Sequence, residues 1–88
     1  MSYTIRIKDS AERAMSRLPK ADRMRVDRHI LALADNPHPP GAKPLKGGGH
    51  GLWRVRVGDW RIVYQIQDEV LVVLVIDVAH RREIYRRL

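Results

Sequence analysis

Apolar and polar residues alternate in a short run near the start of the chain. Tyr3, Ile5 and Ile7 are separated by polar side chains, and the alternation continues to Lys8. A period of two residues is typical of a strand with one buried face. The sequence therefore predicts a β-strand over residues 3–8.

Two short helices are predicted to follow this strand. The first begins at Asp9, which we expect to form a capping box with Glu12, and it ends before Pro19. The second begins at Pro19 and ends at the Asn36-Pro37 stop signal. The apolar residues expected near one side of the second helix are Met24, Ile30, Leu31 and Ala34. Because the connection between the two helices is very short, they should form an αα-hairpin.

A β-hairpin is predicted over the segment WRVRVGDWRIVYQ, which occupies residues 53–65. Gly58 and Asp59 separate two alternating runs, and a two-residue loop of this kind places Val57 opposite Trp60. The face expected to meet the helices carries Trp53, Val55, Val57, Trp60, Ile62, Tyr64 and Ile66. The face expected to point away from them carries Arg54, Arg56, Arg61, Val63 and Gln65.

The segments on either side of the hairpin are less clearly patterned. Residues 35–51 are expected to form a long loop without secondary structure. An apolar run predicts a last strand over residues 70–77. A turn at Asp68-Glu69 would pair this strand with the hairpin and place Arg61 beside Ile76.

These elements together define a fold class. The predicted order is β-α-α-β-β-β, followed by a basic tail or helix with the sequence HRREIYRRL over residues 80–88. The order favours a largely antiparallel sheet with the αα-hairpin packed on one face. We therefore expect a small α+β protein with a single domain over residues 1–88.

Composition favours an anionic partner and argues against several kinds of site. The 88 residues include 17 Lys and Arg against 10 Asp and Glu, and the formal net charge of +7 favours nucleic acid as a partner. A solvated basic surface is the alternative. Cysteine is absent and the histidines lack ligand-like spacing, so no metal or cofactor is expected. No apolar stretch suits a signal peptide or a membrane span, which predicts a cytoplasmic protein without a membrane partner.

The arginines of the hairpin form the strongest candidate site. Arg56 and Arg61 are directly opposed, and like charges in that position destabilise a hairpin by about 0.2–1 kcal/mol. Salt would screen this repulsion if the face were merely solvated. Guanidinium groups fixed on strands also hold phosphate through paired hydrogen bonds, and we favour this anion-binding interpretation. Arg81, which follows the last strand, is expected to fold back beside Arg61.

The hairpin motif and the closing motif together resemble a known family. R-x-R-V-G-D-W-R-I-V-Y and H-R-R-E-I-Y are similar to the RelE/ParE superfamily of type II toxins, and the NP…KPL segment before the hairpin also fits. RelE-type members cleave mRNA in the ribosomal A site without a metal, whereas ParE-type members inhibit DNA gyrase. The resemblance implies a RelE-like fold and a ribosome-dependent endoribonuclease, with ParE-like inhibition of gyrase as the alternative. A basic RNA-binding module without toxicity is a third possibility.

The resemblance also implies partners and roles for individual residues. A cognate antitoxin would neutralise the toxin, and operator DNA would be bound only through the antitoxin complex. Arg61 and Arg81 would stabilise charge on the phosphate oxygens, and Tyr85 would transfer a proton or stack on a base. His80 is an alternative acid or base, although it is more simply a polar residue that opens the tail. The residues expected to bind RNA or phosphate are Arg54, Arg56, Arg82 and Arg86.

Overall fold

Two helices pack on one face of a five-stranded sheet. The structure is a computed structural model that describes residues 2–45 and 51–83. Its elements are β1 (Thr4–Ile7), α1 (Asp9–Ser16), α2 (Lys20–Ala32), β2 (Lys43–Pro44), β3 (Leu52–Val57), β4 (Trp60–Gln67) and β5 (Val72–His80). The predicted α+β class and the helix pair on one face are confirmed. The predicted tail lies outside the described residues from residue 84 onward.

The sheet has the strand order β1-β5-β4-β3-β2. The hairpin strands and both of their outer neighbours pair antiparallel, as the sequence predicts for most of the sheet. β1 instead pairs parallel with β5, so that Thr4 is opposite Val72. Parallel neighbours need a long connection between them, and here the two helices and three further strands supply it.

The register of the β3–β4 hairpin is the one that the sequence predicts. Val57 is opposite Trp60 and Arg56 is opposite Arg61. Gly58 has φ +59° at the first of the two loop positions, as in a type II′ turn. A side chain there would also approach α2, because a Cβ on Gly58 would lie 3.2 Å from Nη2 of Arg25.

The register between β4 and β5 differs from the prediction. The turn extends to Leu71, whose φ is +53°, and Gln67 is therefore opposite Val72 rather than Val70. A register shift follows, and it leaves Ile76 as an extra residue in β5. Arg61 is consequently opposite Ala79, and the expected contact with Ile76 is wrong. The run VLVVLVIDVA is apolar at nearly every position, so its pattern does not fix a register.

The main core lies between the helices and the predicted apolar face of the hairpin. Its buried residues are Ala11, Met15, Leu18, Val26, Ile30, Leu33, Val55, Val57, Ile62, Tyr64, Val73, Val75 and Val78. Trp53, Trp60 and Ile66 pack against this cluster from the same face, as predicted. The sequence therefore identified the buried side of the hairpin correctly.

The buried side of α2 differs from the prediction. Val26 and Ile30 are fully buried, whereas Met24 and Leu31 are 54% and 59% exposed. The spacing of Val26 and Ile30, continued by Leu33 just after the helix, follows one helical face. The grouping of Met24 and Leu31 with Ile30 on one side is wrong, because that face excludes both of them.

The beginnings of the two helices also differ from the predictions. Lys8 is the N-cap residue of α1 and makes no side-chain capping hydrogen bond, so the capping box at Asp9 is wrong. Asp9 and Glu12 lie within the first turn, where negative charge interacts favourably with the helix dipole. Pro19 is the N-cap of α2 rather than its first residue.

The segment predicted to be a structureless loop contains an edge strand. In β2, Lys43 is opposite Arg54 and Pro44 is opposite Trp53. Proline has no N–H for a second neighbour, which suits an edge position. A second, smaller apolar cluster lies next to β2 on the sheet face away from the helices. It consists of Leu45, Val63 and Ala79, with Leu52 and Ile76 packed against it.

Neither α1 nor α2, the helices of the described residues 2–45 and 51–83, has the length and apolar character of a membrane-spanning segment.

Two adjacent residues of α2 test the observed packing. Ile30→Ala should lower the free energy of unfolding by about 2–5 kcal/mol, because it opens a cavity in the core. Leu31→Ala should change it by less than about 0.5 kcal/mol, because that side chain is largely exposed. Chemical denaturation of both variants measures the difference. Equal losses would contradict the packing of α2.

Candidate functional site

Four cationic side chains line a cleft on the sheet face away from the helices. Lys43 comes from β2, Arg54 and Arg56 from β3, and Arg61 from β4, and Pro40 and Gly41 complete the lining. The cleft has a volume of about 410 Å³. We call it the basic groove. The structure thus brings the three predicted hairpin arginines together and adds a lysine to them.

The cations of the basic groove stand in two rows across the strands. Lys43 is directly opposite Arg54, and Arg56 is directly opposite Arg61. Directly opposed residues share a face, with Cβ atoms about 4.5–5.5 Å apart. Each row therefore places two positive side chains next to each other, and an anion bound between them would reduce their repulsion.

The guanidinium of Arg61 is held against the hairpin turn. Its Nη1 donates hydrogen bonds to the carbonyl oxygens of Gly58, at 3.1 Å, and Trp60, at 3.0 Å. The side chain is half-buried, whereas Arg56 opposite it is exposed. Bonds to a tight turn fix the position of a flexible side chain, so the structure preorganises the charge of Arg61.

Arg81 reaches the same turn from the end of β5. Its backbone N–H donates to the carbonyl of Asp59 at 2.8 Å. Its Nε lies 3.8 Å from Oδ1 of Asp59, and both side chains are more than half exposed. Such an exposed ion pair contributes little to stability. It does place the Arg81 guanidinium at the turn to which Arg61 also donates hydrogen bonds.

Of the other tail residues predicted for the site, the structure describes Arg82. Arg82 is exposed just beyond β5, and its backbone N–H lies 3.3 Å from Nδ1 of His80. Tyr85 and Arg86 lie outside the described residues.

His80 does not join the basic groove. It is opposite Trp60, and the two rings meet edge to face with centroids 5.5 Å apart. Because Trp60 packs on the helix side of the sheet, His80 lies on that side as well. His80 lines a cavity of about 330 Å³ together with Arg13 of α1 and Arg17, which caps that helix. The predicted β4–β5 register was wrong, and it therefore did not show which face His80 occupies.

An acidic residue on the face of the basic groove was missed. Asp77 of β5 is opposite Val63 and therefore lies on the same face as the hairpin arginines. The predicted register, with Arg61 beside Ile76, would have placed Asp77 beside Trp60 on the other face. The sheet face that carries the positive charges of the basic groove therefore also carries a carboxylate, on β5.

The loop that carries Lys43 is anchored to the hairpin at its start. The Oη of Tyr64 donates a buried hydrogen bond of 2.8 Å to the carbonyl of Pro37. His38 packs edge to face on Trp53, with ring centroids 4.6 Å apart. The side-chain oxygen of Asn36 accepts the N–H of His38 at 3.0 Å. These contacts fix the path of the chain toward β2.

Burial changes the acidity of Tyr64. It raises the pKa of the hydroxyl from 10.0 to about 12. At neutral pH the group is therefore a permanent donor to Pro37, and it serves the anchor rather than proton transfer.

Lys43 is the groove residue that sequence reasoning missed. A proline-rich segment gives no strand pattern, and Pro44 argues against a strand in most positions. The only available signal was a lysine close before an arginine-bearing hairpin. Pairing with β3 is what brings Lys43 into the site.

Within residues 2–45 and 51–83, no three His, Cys, Asp or Glu side chains are arranged to hold a metal ion.

Known proteins with similar sequences are toxins. The chain matches the family model described as ParE toxin of type II toxin-antitoxin system, parDE, over residues 5–85. It is 35% identical over 88 residues to Toxin RelG of Mycobacterium tuberculosis, covering 99% of this chain and 100% of that protein. Toxin RelE of the same organism is 36% identical over 85 residues, covering 96% of this chain and 87% of that protein.

A solved structure shares the fold. The crystal structure of the toxin-antitoxin complex RelBE2 from Mycobacterium tuberculosis contains a chain that matches with a TM-score of 0.81 and 30% identity. The match covers 92% of this chain and 100% of that chain. The order of the elements and the sheet described above are thus those of a RelE-like toxin structure.

The opposed pair of arginines yields a prediction about stability. Arg56→Gln should raise the free energy of unfolding by about 0.2–1 kcal/mol at low salt, because it removes the repulsion with Arg61. The gain should shrink at high salt, where the charges are screened. Arg6→Gln is the control, since Arg6 is an exposed strand arginine opposite Leu74. Denaturant titrations at two salt concentrations measure both variants, and a loss of stability for Arg56→Gln at low salt would contradict the prediction.

The anchor of the loop yields a second prediction. Tyr64→Phe should lower the free energy of unfolding by about 1–3 kcal/mol, because the buried Pro37 carbonyl loses its donor. The raised pKa also adds stability that is complete below pH 10 and is lost as the pH rises through about 12. Stability measured across this pH range should therefore fall less steeply in Tyr64→Phe than in the wild type.

The matched control for the pH experiment is Tyr3→Phe. Tyr3 donates to Asp68 on the surface, and that hydrogen bond raises its pKa as well. Tyr3→Phe should therefore still lose the stability that ionisation of Tyr64 removes at high pH. Identical pH profiles for the wild type and Tyr64→Phe would contradict the role of the buried hydroxyl.

Proposed function

This chain belongs to the RelE/ParE superfamily of type II toxins, and we propose that it acts as a ribosome-dependent endoribonuclease that cleaves mRNA. The observation that carries the proposal is that Arg61 and Arg81 both contact the Gly58-Asp59 turn, and that Arg61 lines the basic groove with Arg54 and Arg56. Fixed guanidinium groups suit a reaction in which negative charge develops on a phosphate.

The proposed reaction is the attack of a ribose 2′-OH on the adjacent phosphodiester. The 2′ oxygen loses its proton and bonds to phosphorus, while the bond from phosphorus to the 5′ oxygen breaks. The leaving 5′ oxygen gains a proton, and the products carry a 2′,3′-cyclic phosphate and a 5′-OH. Charge on the non-bridging oxygens is greatest during this exchange, so preorganised cations lower the barrier most at that point.

The structure supports different tasks for the basic residues. Arg61 is held by backbone carbonyls and Arg81 lies at the same turn, so these two would stabilise the reacting phosphate. Arg54 and Arg56 would hold the RNA strand, and Arg82 and Arg86 would contribute charge from the tail. Tyr85 is proposed for proton transfer or base stacking on the ground of the family motif. His80 lies on the other face of the sheet, so its position favours a structural contact with Trp60.

The proposed partners follow from the same family. A cognate antitoxin would bind and neutralise the toxin, and the similar chain of Mycobacterium tuberculosis lies in a toxin-antitoxin complex, RelBE2. A net charge of +7 favours acidic segments in such a partner as well as ribosomal RNA. Operator DNA would be bound only through the antitoxin, and the site of action would be the cytoplasm.

Inhibition of DNA gyrase is the second candidate function. The matching family model is described as a ParE toxin, which favours this alternative. The two activities separate in one experiment, because a gyrase inhibitor abolishes supercoiling while cellular mRNA stays intact. The arginines gathered at the hairpin turn favour the ribonuclease.

Induced expression tests the ribonuclease directly. Mapping of 5′ ends should reveal cuts within translated codons when the wild-type toxin is expressed. Arg61→Ala and Tyr85→Phe should each reduce the cuts by at least about 100-fold, the usual scale for losing one stabilising or proton-transferring group. Arg28→Ala is the matched control, because Arg28 is an exposed arginine on α2 and lies outside the basic groove.

Two outcomes would contradict the proposal. One is full cleavage by Arg61→Ala at equal protein levels. The other is a toxic wild type that leaves mRNA uncut. Co-expression of the antitoxin should abolish both the cuts and the toxicity.

A further inference from the structure

The two rows of the basic groove are separated along the sheet. Arg54 and Arg56 are two residues apart in β3, and residues two apart on one strand face lie about 7 Å from each other. Lys43 extends the first row across β2, and Arg61 extends the second across β4. The groove is therefore two pairs of cations, set one strand repeat apart.

This spacing suits a chain of negative charges better than a single anion. A phosphate between Arg56 and Arg61 would lie about 7 Å from the row of Lys43 and Arg54, too far to be held by both rows directly. A single nucleic acid strand carries one phosphate per nucleotide on a flexible backbone, so consecutive phosphates can occupy both rows. The open cleft of about 410 Å³ has room for a backbone to pass.

We propose that Lys43 is a phosphate-binding residue, and that the row of Lys43 and Arg54 holds the phosphate next to the one held by Arg56 and Arg61. The inference rests on the proposed function in one respect, since the second row is taken to hold the phosphate that is cleaved. The groove thus recognises two consecutive phosphodiesters of a single strand.

The position of Lys43 fits this role. It is exposed at the rim of the groove, where a lysine ammonium acts as a point charge and does not need the fixed geometry of a guanidinium fork. Its strand is short, but Tyr64 and Trp53 hold the preceding loop through Pro37 and His38. These contacts therefore hold the backbone that leads to Lys43, while its ammonium group extends into solvent.

A short RNA that cannot be cleaved tests the inference without requiring catalysis. Its ribose at the cleavage position lacks the 2′-OH, and each phosphate in turn is replaced by an uncharged methylphosphonate. Binding is followed by tryptophan fluorescence over a range of salt concentrations. In the wild type, replacing a contacted phosphate should reduce the slope of log K against log salt by about 0.7, the share of one phosphate on a single strand.

Lys43→Ala should reduce that slope by the same amount with the unmodified RNA. It should also weaken the effect of the methylphosphonate at one position next to the cleavage site, because only Arg54 would then contact that phosphate. Lys43→Arg should restore both the slope and the sensitivity. Lys20→Ala is the matched control, since Lys20 is an exposed lysine in the cleft between α1 and α2 and its loss should leave the sensitivity intact.

A merely structural role for Lys43 gives a different result. Binding of every RNA would then weaken by one common factor, with the slope and the methylphosphonate pattern unchanged, and this result would overturn the inference. Lys43→Gln provides a second variant with a longer side chain, should the alanine variant be unstable. The proposed ribonuclease function is tested separately, by mapping mRNA cuts made by the wild-type toxin. Lys43-dependent phosphate binding without any cuts would support the two-phosphate groove and refute the nuclease.

Discussion

The register of the β3–β4 hairpin is the constraint on which the rest of the structure depends. A two-residue loop with Gly58 at φ +59° allows one pairing, in which Val57 meets Trp60. A shift by one residue would carry every apolar side chain to the solvent and every arginine into the core. One glycine in the turn thus settles both which face packs on the helices and which face collects positive charge. The core and the basic groove lie on opposite faces of the same β3–β4 hairpin, and one register determines both.

Like charges on one face are tolerated because the other face is strongly held. Val55, Ile62 and Tyr64 are buried under the helices, and each such side chain contributes about 1.5–3 kcal/mol. One opposed arginine pair costs only about 0.2–1 kcal/mol. Leu45 and Val63 add a second apolar cluster beside the basic groove. The charged side chains consequently project from strands that are packed on both sides near the site.

The accuracy of the sequence predictions follows from the information in each segment. β3 and β4 alternate apolar and charged residues, so the turn and the period together determined their register. β5 is apolar at almost every position, and the pattern therefore showed neither the extra residue at Ile76 nor the face of His80. α2 mixes apolar residues around its circumference, which concealed that Leu31 is exposed. Lys43 lies in a segment whose strand forms only by pairing with β3, and local sequence does not report such a distant partner.

The parallel pairing of β1 with β5 also determines when, during synthesis, the sheet can finish folding. Thr4 is paired with Val72, so β1 cannot pair in the sheet until β5 has left the ribosome. The strand that immediately precedes Arg81 is also the one that joins β1 to the rest of the sheet. Contacts between such distant parts of the chain form slowly, because a long loop must close first. Closure of the sheet and delivery of Arg81 to the hairpin turn therefore belong to one late step, and a nascent chain still in synthesis would lack the assembled site.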